Sequence, residues 1–110
     1  MRKGLKENQI LVLIKEPGKP ARVEPLFDNT LEAFQQAVGG YIETVTIATD
    51  AVIICNEEGR LLALPHNCRF CGIDLCGPIL IAGYSGDEFT SLSAETTGLL
   101  MRGLAELDLK

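Results

Sequence analysis

The 110-residue chain contains no tryptophan, only two tyrosines and four phenylalanines, and a single histidine. An interior built from it must therefore be aliphatic, filled by leucine, isoleucine, valine and alanine. One imidazole leaves little room for histidine-based metal or acid–base chemistry. No apolar run is long enough to cross a membrane or to form a signal-peptide core. The longest near the start, Ile10–Ile14, spans five residues, and no small-residue cleavage site follows it. The expected location is the cytoplasm, where cysteines stay reduced. There is no Walker motif and no dinucleotide fingerprint. Gly39-Gly40 lies at a helix end, so it reads as a cap and not as a phosphate loop.

Basic residues are scarce over most of the chain. Residues 1–22 hold six basic against two acidic residues, a net +4, and the remainder holds four against thirteen, a net −9. An acidic body excludes a nucleic-acid face, which needs clustered lysine and arginine. Length and composition point to one domain over residues 1–110, with residues 1–8 as a basic N-terminal tail. A chain of this size buries roughly 65% of its unfolded surface, enough for a core without disulfides or metal.

What is present reads as alternating short strands and two helices. Gln9–Lys15 is an apolar, β-branched run ended by Glu16-Pro17-Gly18, as in a strand buried on both faces. Ala21–Phe27 can extend, with Pro25 confining it to a sheet edge. Residues 28–40 predict a short helix opened by Asn29 or Thr30 and closed by Gly39. Tyr41–Ala48 and Ala51–Cys55 predict an antiparallel pair. Asn56–Pro65 suggests a second hairpin turning at Gly59. The stretch from His66 to Cys76 reads as a loop, Pro78–Tyr84 as a further buried strand, and Ala94–Leu107 as a helix capped by Ser93. Within that helix Gly98 and Gly103 suit a close approach by a neighbour. The fold class is α+β: a mostly antiparallel sheet of about four to five strands, with two helices packed on one face.

The loop HNCRFCGIDLC concentrates the chemistry, with the sole histidine and three of the four cysteines in eleven residues. Cys68-x2-Cys71 is one acceptable zinc pair, which His66 and Cys76 would complete, but the second separate pair of a structural zinc site is missing. A thiolate at Cys68 or Cys71, with His66 as base and Arg69 as nearby cation, lacks an identifiable oxyanion hole. Buried cysteines also serve simply as small apolar fillers. Glu57-Glu58 and Asp87-Glu88 read as solvated turn acids. No cofactor is implied and no catalytic residue is assigned.

Five segments together, EPGKP, VGGYIE, CNEEGRLLALPHN, GPILIAG and GDEFTSLS, resemble domain-of-unknown-function family 3846 over roughly residues 9–95. These are small proteins of phages, integrative elements and Firmicutes. The resemblance implies that the segment around Asn67 and Arg69, and Gly77 after it, recur, while the cysteines vary. Asn67, Arg69 and Asp74 then become the ligand-binding candidates, because an amide and a guanidinium fork read carboxylates, phosphates and peptide backbone. The plainer reading is that Asn67 bonds its own local backbone and Arg69 pairs with Asp74. The expected role is an accessory protein that binds a host protein or a small anionic ligand without catalysis. The alternatives are a small zinc or thiol protein and a structural domain that self-associates as a homodimer.

Overall fold

The computed structural model describes residues 8–108; residues 1–7 of the basic tail lie outside them. The elements run β1 (Gln9–Lys15), β2 (Arg22–Asp28), α1 (Leu31–Val38), β3 (Ile42–Ala48), β4 (Ala51–Asn56), β5 (His66–Phe70), β6 (Ile73–Cys76), β7 (Ile79–Ser85), β8 (Glu88–Thr90) and α2 (Ala94–Asp108). Five strands lie in the order β2-β1-β7-β4-β3, β8 adds to β7, and all these pairings are antiparallel. A separate two-stranded sheet is made by β5 and β6. The fold is α+β, as expected. It carries more strands than the four to five expected, because β8 and the β5–β6 hairpin are short and their sequences read as turn and loop.

The three central strands explain the layering. Side chains alternate across a strand, so β1, β4 and β7, apolar at nearly every position, present two apolar faces. Leu13, Ile53, Ile79 and Ile81 share one face with Leu104 of α2 and with Cys68 and Leu75 of the hairpin. Val12, Ile14, Val52, Ile54 and Leu80 share the other with Phe34 and Val38 of α1. The helices therefore cover opposite faces, which corrects the expectation of one shared face. A short α1 cannot cover a face alone, and Phe27 and Phe89 each pack at a tilt against Phe34 with ring centroids 4.9 Å away. Each fully buried large aliphatic side chain contributes about 1.5–3 kcal/mol.

Local signals place most element ends. Thr30 Oγ1 accepts from the Ala33 amide at 3.1 Å, and Gly39, at φ 80°, closes α1 with its amide on the Gln35 carbonyl at 2.8 Å. Ser93 Oγ accepts from the Thr96 amide at 3.1 Å at the start of α2. Within α2, a Cβ on Gly103 would stand 3.4 Å from the Phe70 ring, so a close neighbour is present there; Gly98 has open space instead. No helix is long and apolar enough to cross a membrane among the described residues.

Two segments depart from the sequence expectation. Asn56–Leu64 is not a hairpin but a series of tight turns: Asn56 Oδ1 accepts from the Glu58 amide at 2.7 Å, and the Leu64 amide reaches back to the Gly59 carbonyl at 3.0 Å. The apolar Leu61-Leu62 pair that suggested a strand points outward, with Leu61 85% exposed. His66–Cys76 is a hairpin, not a loop. Its two-residue turn uses Cys71 at φ 53° and Gly72 at φ 76°, the paired left-handed conformation that matches strand twist.

The β8–α2 connection is driven in beside β1. Ser91 Oγ accepts from the Leu11 amide at 2.9 Å, and the Leu92 amide donates to the Leu11 carbonyl at 3.0 Å. Only a residue without Cβ fits opposite, since a Cβ on Gly83 would lie 2.6 Å from both the Ser91 carbonyl oxygen and Thr90 Oγ1. Gly83→Ala should cost about 1–3 kcal/mol, as overpacking does, seen as a lower urea midpoint. An unchanged midpoint would show that this approach is not tight in solution.

Candidate functional site

The β5–β6 hairpin lies over the sheet on the α2 side, and its residues sort by strand geometry. Cys68, Phe70, Ile73 and Leu75 point inward and pack against the core. Arg69 and Asp74, cross-strand partners, point outward. A break in register between His66 and Cys68 places Asn67 out of the regular ladder and lets His66 share the outer face with Arg69.

Asn67 is used at the base of the hairpin. Its Nδ2 donates to the Lys15 carbonyl at 2.8 Å and to the Gly77 carbonyl at 2.9 Å, joining β5 to the end of β1 and to the approach to β7. Its Oδ1 is buried without a hydrogen-bond partner. Beside it the EPGKP segment folds over Lys15, which is only 3% exposed and donates from Nζ to the Lys19 carbonyl at 2.7 Å. Gly18, at φ 77°, makes that turn, and Glu16 is held by Arg22 at 2.9 Å. The Arg22 hydrogen bond first, then the Lys19 charge, keep the Glu16 carboxyl below its usual range. Three of the five segments carrying the family resemblance, EPGKP, CNEEGRLLALPHN and GPILIAG, thus meet at the foot of the hairpin.

On the outer face Asp74 is the hub. Arg69 reaches one of its oxygens at 2.9 Å and His66 Nε2 the other at 3.7 Å. Arg69 is 64% exposed, so the pair contributes little to stability and stays open to exchange with an incoming group.

Asp74 also stands on the rim of a groove of about 220 Å³ between β6, the ends of β3 and β4, and the turns that follow β4. Four carboxylates line it, Glu43, Glu57, Glu58 and Asp74, against Arg60 alone among cations, with Val45, Leu61 and Ile73 supplying apolar wall. Cys55 and Cys76 are also in its lining. Burial first, then the Glu43 charge, push the Cys55 thiol up to about 11, and its Sγ lies 3.7 Å from the Glu43 carbonyl oxygen. Such a thiol is not a nucleophile near neutral pH.

The sequence that builds this site matches a known family. The chain belongs to the domain-of-unknown-function family DUF3846, whose sequence model matches residues 10–105. No match was found among curated proteins or among solved structures. In this DUF3846 domain the sequence candidates separate. Arg69, Asp74 and His66 come together on one exposed face, whereas Asn67 is turned to the base. The four proposed zinc ligands do not meet: Cys68 is buried in the core, Cys71 sits exposed at the turn, and His66 and Cys76 lie opposite each other on the ladder. No group of three or more His, Cys, Asp or Glu side chains that could hold a metal occurs among the described residues. All four cysteines are free. The groove acids were missed because Glu57-Glu58 reads locally as a wet turn. Glu43 is distant in sequence, and only the pairing of β3 with β4 brings it alongside.

Replacing Asn67 tests its part in the DUF3846 domain. Asn67→Ala should lower stability by about 1–3 kcal/mol by stripping two carbonyls of their donor. Asn67→Asp should cost more, because it sets a carboxylate against both carbonyl oxygens. Equal midpoints for the two variants would rule out the two hydrogen bonds as its contribution. Thiol labelling with iodoacetamide at pH 8 should modify Cys71 first and Cys55 only on unfolding; Cys55 reacting as fast as Cys71 in the folded protein would contradict its burial.

Proposed function

We propose that this domain is a non-catalytic binding module whose working surface is the outer face of the β5–β6 hairpin together with the acidic groove beside it, and that its ligand is a protein segment bearing lysine or arginine. The groove lining carries the reading: four carboxylates facing one arginine set up a potential that attracts cations and repels anions. Of the two ligand classes expected from sequence, a host protein and a small anion, this favours the protein. The apolar wall of Val45, Leu61 and Ile73 gives the aliphatic stem of such a side chain something to cover. Arg69 gates the surface, because its pairing with Asp74 neutralises one of the four acids until a partner's cation replaces it. Asn67 serves by fixing the hairpin over the sheet.

A module of this kind acts by occupying its partner, which suits the role of a phage or mobile-element accessory protein in the cytoplasm that the family resemblance implies. Fluorescence anisotropy with a short lysine- and arginine-containing peptide tests it. The peptide should bind, and weaken as salt is raised. Glu57→Gln with Glu58→Gln should lose ~3–10-fold in affinity, as for charges at an interface rim. Arg69→Ala should tighten binding by freeing Asp74. If instead inorganic phosphate binds and Arg69→Ala abolishes it, the ligand is a small anion and the proposal fails.

A further inference from the structure

Among the described residues the five-strand path of the main sheet ends in β2 and β3, and these two edges are built differently. β2 carries Arg22, Glu24 and Asp28, an internal proline at Pro25, and a register break against β1 between Ile10 and Val12. Charge, proline and bulge all discourage another strand from pairing. Over Ile42–Thr46 β3 has no proline and no bulge, holds four β-branched residues, and carries a single charge, Glu43. Its register against β4 is unbroken until after Thr46. Among the described residues it lies at the end of the strand order, with no backbone hydrogen bonds to a strand beyond β4.

We propose that β3 is a dimerisation edge that pairs antiparallel with β3 of a second copy of this chain, about a two-fold axis at Thr44. Thr44 is the midpoint of the regular stretch, so this register pairs all five residues. Residue Thr44 then faces its own counterpart, Ile42 faces Thr46 of the copy, and Glu43 faces Val45. No like charges stand directly opposite, the two Glu43 side chains being diagonal neighbours, and β-branched residues pair across the junction. A self-complementary edge selects a second copy over an unrelated strand and closes the assembly at two. The alternative junction, β3 onto β2 of another molecule, would propagate into a filament, and Pro25 with its neighbouring bulge opposes it. The axis runs perpendicular to the sheet, so both acidic grooves open on the same side, each lined by Glu43 and Val45 of its own β3. The dimer stands independently of what those grooves bind.

Sedimentation equilibrium over a range of concentrations tests this, with circular dichroism to confirm that each variant is folded. The wild type should be a dimer. Thr44 is exposed, so Thr44→Lys and Thr44→Glu should each fold and each be monomeric, since like charges then face each other at the axis. An equimolar mixture of the two should restore a dimer, because lysine then faces glutamate. A monomeric wild type, a dimeric Thr44→Lys protein, or a mixture that stays monomeric would overturn the proposal.

Discussion

Strands β1, β4 and β7 are apolar on both faces, and each face has to be covered by something. That constraint fixes the positions of all the other elements. On one side the short α1 covers the sheet with help from Phe27 and Phe89. On the other, α2 contributes Leu104 but leaves area that the β5–β6 hairpin closes with Cys68 and Leu75. The hairpin is thus part of the core and at the same time the wall of the groove. Its inward residues secure the position from which its outward residues, Arg69 and Asp74, face solvent.

Much of this was readable in the sequence where the signal is local. Runs without polar interruption marked β1, β4 and β7, because a strand buried twice has no wet face. Thr30, Gly39 and Ser93 marked helix ends through their own backbone chemistry. The failures came where a tertiary demand overrode local character. Leu61-Leu62 looked like strand and lies exposed in turns, because Asn56 captures the Glu58 amide and bends the chain immediately after β4. Cys71-Gly72 did not look like a hairpin turn, because cysteine seldom occupies the left-handed conformation that asparagine usually supplies. The side of the sheet taken by each helix was not legible, since either apolar face accepts a helix.

The site was legible in part. Arg69 with Asp74 could be paired as opposite charges within one short segment, and the two do meet. The role of Asn67 could not, because its partners are the carbonyls of Lys15, 52 positions earlier, and Gly77. The concentration of cysteines attracted attention as a metal site, but alternation sends Cys68 inward and leaves Cys71 at the turn. In a strand, closeness in sequence is poor evidence for closeness of side chains. The groove was the reverse case: acids from β3, the turns after β4 and β6 are far apart in the chain and adjacent in space.

The anchoring of the hairpin has a mechanical consequence. It is fastened at its foot by the two hydrogen bonds of Asn67 and along its underside by apolar packing, while its tip at Cys71-Gly72 is exposed. It is therefore supported from its foot to the residues that flank the tip, and the β6 wall of the groove rests on the same packing as the core. Two of the hairpin's fastening points, the carbonyls of Lys15 and Gly77, belong to residues that do not line the groove.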